Sequence, residues 1–158
     1  MDAVEIREEA PLQDDVRALI DELNAFLEPL APPEFIFAMT AEEMAGPDTT
    51  VWVARRAGAA IGCGALRRHN ADLAEVKRMY VRPAEQGRGV GGALLDRILA
   101  CAQKEGIAAL KLETGDQQPA AWAIYERAGF RRCGPFADYP ESPYSIFYEK
   151  LLPRPVAA

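Results

Sequence analysis

The sequence has few of the residues that build disulfide frameworks and metal centres. Its 158 residues include three cysteines and one histidine. Cys63, Cys101 and Cys133 are widely spaced and form no Cys-x-x-Cys pair, and with His69 alone they form no zinc-binding pattern. We therefore predict a chain with reduced cysteines and no bound metal, in which His69 is a surface residue of a polar turn.

Long apolar segments are missing as well. No run approaches the roughly 20 apolar residues of a membrane span, and residues 1–5 are acidic where a secretory signal would be basic. The net charge of −6 argues against a protein that holds nucleic acid by neutralising its phosphates. We therefore expect one cytoplasmic domain over residues 1–158, with neither a membrane nor a nucleic acid as its partner.

The charge is unevenly distributed along the chain. Residues 1–50 carry 13 acidic and two basic side chains, whereas residues 67–97 carry seven basic and four acidic ones. This asymmetry predicts an anionic ligand near the middle of the chain and a cationic one near its first third. Ordinary solvated faces are the alternative.

The apolar spacing predicts a mixed α/β fold with the element order βα(α)βββαβαββ. A first strand around Val4 precedes a helix over residues 14–27, and residues 34–46 combine a short helix with a loop. The remaining elements are an antiparallel meander over 50–56, 60–68 and 74–81, a helix up to Gly106, a strand over 107–114, a helix over 119–128 and strands over 130–133 and 144–151. We expect one mixed sheet of six or seven strands with a βαβ crossover.

A glycine-rich turn between a strand and a helix is the most informative segment. It leaves backbone N–H groups open at a helix N-terminus, which suits a phosphate. Gly87, Gly89 and Gly92 match the dinucleotide pattern G-x-G-x-x-G, with Glu113 following 21 residues after Gly92. A dinucleotide-binding fold would place this motif after its first strand, whereas three antiparallel strands precede it here, so the context argues against that interpretation, which stays a third alternative.

Two segments resemble the GNAT superfamily of acyl-CoA N-acyltransferases. Residues 79–83 and 86–91 (Met-Tyr-Val-Arg-Pro, then Gln-Gly-Arg-Gly-Val-Gly) resemble the acyl-CoA signature, and residues 120–130 resemble A-x-x-L-Y-x-x-x-G-F. The likeness covers nearly the whole chain, and its ending resembles a subgroup of small bacterial members. It implies the GNAT-like fold and acetyl-CoA as the cosubstrate, without a metal.

The resemblance also implies which residues hold acetyl-CoA. The strand residues Met79, Tyr80 and Val81 would pair with the pantetheine arm through their main chain, and a β-bulge there would separate two strands. Gln118 stands where many members have an asparagine that contacts the pantetheine. The pyrophosphate would be held by the turn residues Gln86, Gly87, Arg88, Gly89, Val90 and Gly91; for Gly91 and Gly92, close helix–strand packing is the alternative.

Three residues are candidates for the chemistry. Tyr125 matches the tyrosine that lies near the CoA sulfur in the family, as a proton donor. Glu75 and Glu113 each occupy a position where some members carry a catalytic glutamate, and each could instead be an ordinary strand carboxylate paired with a lysine. Regular strand alternation would place Glu75, Lys77 and Met79 on one face, unless the bulge intervenes.

The predicted function is direct acetyl transfer from acetyl-CoA to a primary amine. The acidic first third would face the acceptor, so we expect a cationic small molecule, amino acid or protein amine, with residues 135–145 as a second acceptor contact. The alternative is a catalytically idle acyl-CoA-binding regulatory module on the same fold. The resemblance is also compatible with a homodimer.

Overall fold

A seven-stranded mixed sheet organises the computed structural model, which describes residues 2–153. The strands lie in the order β1-β2-β3-β4-β5-β7-β6. Their bounds are β1 (Val4–Glu8), β2 (Thr49–Arg56), β3 (Ala59–Arg68), β4 (Leu73–Val81), β5 (Ala109–Gly115), β6 (Arg131–Cys133) and β7 (Ser145–Leu151). All neighbours are antiparallel except β4 and β5, which are parallel. The predicted order and strand number are confirmed.

Four helices flank the sheet: α1 (Asp14–Leu27), α2 (Ala41–Met44), α3 (Val90–Lys104) and α4 (Pro119–Arg127). Helix α3 forms the crossover that a parallel pair requires. The ambiguous segment 34–46 resolves into a 3-10 turn at Pro33–Phe35 and α2, whose start is fixed by a capping box between Thr40 and Glu43. Within residues 2–153, every helix is too short or too polar to cross a membrane.

Two apolar cores lie on opposite faces of the sheet. Helix α1 buries Val16, Leu19 and Ile20 against β2 and β3 on one face. Helix α3 buries Leu94, Leu95 and Ile98 against the other face, where Tyr125 of α4 also packs. These apolar stripes recur at helical spacing, which is why the sequence pattern located both helices.

A bulge in β4 opens the sheet in its middle. Arg78 and Met79 together lie opposite Gly64 of β3, and Arg78 has a φ of 55°. Pairing between β4 and β5 runs from Leu73 to Glu75 on β4 and then stops. The two strands therefore separate beyond Glu75, and their free edges face each other across an opening.

Candidate active site

A cleft occupies the opening between β4 and β5. The two strands form its sides, the start of α4 and the segment before it close one end, and α1 with residues 30–37 covers it. The residues that line this cleft are Leu23, Leu27, Leu30, Ala31, Phe35, Ile36, Phe37, Val76, Lys77, Arg78, Met79, Glu113, Thr114, Gly115, Asp116, Gln117, Gln118, Tyr125 and Tyr144.

The glycine turn (residues 86–91) follows β4 after a 3-10 turn at Pro83–Glu85, and it leads into α3. Gly87 and Gly89 have φ values of 76° and 84°, and Gly89 caps the helix in the left-handed conformation. Among the described residues, the N–H groups of Gly87, Gly89 and Gly91 donate to no backbone carbonyl. The first turn of α3 contains no acidic residue. Open donors at the positive end of a helix fit a pyrophosphate.

Hydrogen bonding and packing explain two residues of the turn and leave a third unexplained. The side-chain amide of Gln86 donates to the carbonyl oxygen of Val81 at 2.9 Å, so it ties the turn to the end of β4. A methyl group on Gly91 would lie 3.1 Å from Cδ1 of Ile124, so α4 packs closely against that glycine. Gly92 has no such neighbour within 4 Å, and packing does not explain it.

The end of β4 presents a free main-chain edge. Tyr80 and Val81 pair with Cys63 and Gly62 of β3, and no β5 residue pairs with them. The edge that β5 leaves open fits an extended chain that needs main-chain hydrogen bonds, as the pantetheine arm does.

The bulge interrupts the regular alternation of side chains along β4. Met79 packs with the α3 core and lies beside Gly64 and Ile98. Lys77 lies on the opposite face, where its Nζ is 2.8 Å from the hydroxyl of Tyr139. Glu75 and Lys77 therefore share a face, but Met79 does not, because the extra residue at Arg78 reverses the alternation after it.

Tyr125 and Glu113 line the same cleft from different elements. Burial raises the pKa of Tyr125 above its ordinary value, and the nearby charge of Glu113 raises it further. Burial also raises the pKa of Glu113, and the hydroxyl of Ser145 and the charge of Lys77 oppose that shift only in part. Within residues 2–153, the Tyr125 hydroxyl makes no hydrogen bond, so it remains available to a ligand.

Glu75 lies outside the cleft, at the point where β4 and β5 are still paired. His69 Nε2 is 2.8 Å from one of its carboxylate oxygens, and the Tyr139 hydroxyl donates to the other. The Nζ atom of Lys77 lies 3.6 Å from Oε2 of Glu75. Glu75 therefore does not line the cleft that Tyr125 and Glu113 share, and lies beside a second opening with Lys77 and Tyr139. His69 is an exposed residue of a turn, as predicted, and its ring is also a partner of this buried carboxylate.

Lys77 and Arg78 are site residues that the sequence analysis missed. Both line the cleft, on the face covered by α1. Arg78 donates to Asn24 of α1, and burial lowers its pKa. Two adjacent cations inside a strand that is mostly buried were a signal, because such residues are rarely buried without a reason.

Gln118 lines the cleft, and its side chain lies against Gly115. A methyl group on Gly115 would lie 2.7 Å from Nε2 of Gln118, so a larger residue there would push the end of this side chain aside. The neighbouring carbonyl of Gly115 accepts from the Trp122 indole at 2.9 Å. The contact of Gln118 with pantetheine stays a prediction.

The acidic first third does not supply acidic side chains to the cleft. The residues of the first third that line the cleft are all apolar. They are Leu23, Leu27, Leu30, Ala31, Phe35, Ile36 and Phe37. Several of its carboxylates are instead paired with arginines: Glu9 and Asp15 with Arg55, and Glu22 with Arg82. The charge argument for a cationic acceptor therefore loses its structural basis.

The cysteines do not take part in the cleft. Cys63 is buried, which raises the pKa of its thiol to about 12, and the pKa of Cys101 is raised to about 11. Thiols of this kind are poor nucleophiles at neutral pH. Among residues 2–153, no group of three or more His, Cys, Asp or Glu side chains is arranged to hold a metal ion.

Comparison with known proteins identifies this architecture. The family model for an acetyltransferase (GNAT) domain matches residues 47–132, more than half of the chain. The chain belongs to the GNAT family of acetyltransferases. The match contains β2 to β4, the glycine turn, α3, β5 and α4, and so it includes both strands of the cleft.

Relatives of this GNAT protein extend the likeness over its full length. The chain is 42% identical to an IAA acetyltransferase of Azospirillum brasilense, over 96% of this chain and 100% of that one. A Klebsiella pneumoniae protein assigned to the acyl-CoA N-acyltransferases shares 33% identity and a TM-score of 0.80, covering 94% and 97% of the two chains. A PaiA N-acetyltransferase of Thermoplasma acidophilum, solved with coenzyme A, shares the fold at 19% identity and a TM-score of 0.73, covering 94% and 99%.

Proposed function

We propose that this enzyme transfers an acetyl group from acetyl-CoA directly to a primary amine. The observation that carries the proposal is that Tyr125 and Glu113 line one cleft, which runs along the free edge of β4 next to the glycine turn. The open N–H groups of that turn hold the pyrophosphate, and the edge of Met79 to Val81 holds the pantetheine arm. When bound, acetyl-CoA supplies an acetyl group on a thioester.

Glu113 acts as the general base. Its carboxylate takes a proton from the incoming ammonium group, so that the neutral amine nitrogen can form the new C–N bond as the C–S bond breaks. Glu113 is preferred to Glu75 for this role, because Glu75 lies outside the cleft and is held there by His69 and Tyr139. The raised pKa of Glu113 strengthens it as a base.

Tyr125 acts on the departing sulfur. Its raised pKa keeps the phenol protonated at neutral pH, so it can donate to the sulfur as negative charge develops there. Burial raises the pKa of the coenzyme A thiol in the same cleft as well, so the proton can pass from the phenol to the sulfur. The second proton, which the nitrogen loses as it becomes an amide, restores the phenol. Direct transfer needs no acyl-enzyme, which agrees with the absence of a cysteine from the lining of the cleft.

The test combines acetyl-CoA titration with thiol release over a panel of primary amines. Tyr125→Phe and Glu113→Gln should each lower turnover by about a hundredfold and leave acetyl-CoA affinity within a few-fold. Tyr148→Phe and Glu105→Gln are matched controls outside the cleft and should keep turnover. Binding without thiol release from any amine would favour the idle regulatory module instead, and an absence of binding would reject both.

A further inference from the structure

Arg78 is a buried cation without a counter-ion. It is 7% exposed, and its Nη2 donates to the neutral amide of Asn24. Its Nε is buried and has no hydrogen-bond partner. Among residues 2–153, no carboxylate forms an ion pair with this guanidinium, and every arginine pair that the fold does make lies elsewhere.

This arrangement is costly in two ways at a single residue. A charge taken out of water without an opposite charge is strongly disfavoured. The backbone of Arg78, at a φ of 55°, is strained as well because it is left-handed and not a glycine. Such costs persist where a ligand site needs them. Arg78 lines the cleft in which the reaction is proposed to occur.

Lys77, the other cation of the cleft, is already neutralised. Its Nζ lies 3.6 Å from a carboxylate oxygen of Glu75 and 2.8 Å from the Tyr139 hydroxyl. The remaining acidic side chains of the cleft, Glu113 and Asp116, form no ion pair with Arg78. Arg78 is therefore the charge in the cleft that an anionic ligand would neutralise.

We propose that the acceptor amine also carries a carboxylate, and that Arg78 binds that carboxylate. A planar guanidinium matches the two oxygens of a carboxylate better than an ammonium group does. The wall over the cleft is apolar, with Leu23, Leu27 and Phe35, so it suits an apolar body. The acceptor class is an apolar amino acid or a similar amino carboxylic acid. The inference rests on the proposed acetyl transfer to an amine.

The experiment compares each amino acid with its own carboxamide. L-Leucine, L-methionine and L-phenylalanine are assayed against the three carboxamides by thiol release from acetyl-CoA. The carboxamides keep the amine and the side chain and lose the negative charge; their amines are less basic, so a larger share of each carboxamide is present as the neutral amine. The wild-type kcat/KM should be at least about tenfold higher for the acids, a difference of about 1.4 kcal/mol.

Variants assign the preference to Arg78. Arg78→Gln should bring the ratio of acid to carboxamide close to one, and Arg78→Lys should keep part of it. Arg68→Gln, which breaks an ion pair with Glu105 away from the cleft, should leave the ratio unchanged. If Arg78→Gln does not fold, the wild-type ratio and the Arg78→Lys ratio still decide the proposal.

Each contrary outcome has a distinct meaning. Equal use of acids and carboxamides by the wild type would overturn the carboxylate proposal and leave acetyl transfer intact. A preference for the acids that survives in Arg78→Gln would overturn the assignment to Arg78. Thiol release from none of the amines, with the carboxylate or without it, would remove the proposed function and this inference with it.

Discussion

Lys77 and Arg78 are neighbours in the chain, yet both side chains lie on the face of the sheet that α1 covers. Lys77 contacts the carbonyl of Phe37 at 3.4 Å, and Arg78 donates to Asn24 of α1. A regular strand would send the two side chains to opposite faces. The bulge at Arg78 removes that alternation and gives the cleft two cations on one side.

The left-handed backbone of Arg78 predicts an unusual order of stability. Arg78→Gly should be more stable than Arg78→Ala by about 1 kcal/mol, because only glycine adopts a positive φ without strain. Urea unfolding of both variants measures the difference, and both lose the guanidinium equally. Lys77 has no positive φ, so Lys77→Ala should be more stable than Lys77→Gly. The same order at both positions would contradict the bulge geometry.

The glycine turn predicts a separation of stability from binding. Gly58 and Gly89 have nearly equal φ values of 83° and 84°, and neither has an atom within 4 Å of a built methyl group. Gly58→Ala and Gly89→Ala should therefore lose similar stability, about 1 kcal/mol each. Only Gly89→Ala should weaken acetyl-CoA binding, by about tenfold, since it lies at the N-terminus of α3. Calorimetric titration of the two variants checks this, and equal affinities would show that the turn does not hold the donor.

The raised pKa of Glu113 predicts the pH dependence of its contribution. Only the ionised carboxylate accepts a proton, so the contribution is lost as the pH falls through the raised pKa, at a higher pH than for an exposed glutamate with its ordinary value of 4.5. At alkaline pH the acceptor amine loses its proton without help. The rate ratio of wild type to Glu113→Gln should therefore peak between these limits, at about a hundredfold. A ratio that does not vary with pH would exclude proton abstraction by Glu113.

Much of the fold could be predicted because its signals are local. The apolar stripe of α1, the meander of β2 to β4 and the glycine turn each lie within one short segment, and their order alone indicates a mixed sheet. Strand ends were less well defined: β5 begins at Ala109 rather than at Ile107. The side chain of Ile107 is buried in either case, so apolar character does not mark the first paired residue.

The site was harder to predict because it depends on distant partners. Tyr139 donates to Glu75 from 64 residues away, and no local pattern shows that contact. The resemblance implied a bulge in β4, but the composition of the strand does not show that Arg78 and Met79 together lie opposite Gly64. The negative charge of the first third was a poor guide to the lining of the cleft for a similar reason. Net charge does not show which carboxylates are paired with arginines.

The central claim is that the free edge of β4 and the glycine turn together hold the acyl donor. Hydrogen exchange of the backbone amides, measured with and without coenzyme A, tests it most directly. The account predicts new protection confined to Met79–Val81, Gly87–Gly91 and the start of α4 near Gln118. Protection elsewhere, with these amides exchanging as fast as in the free protein, would contradict it.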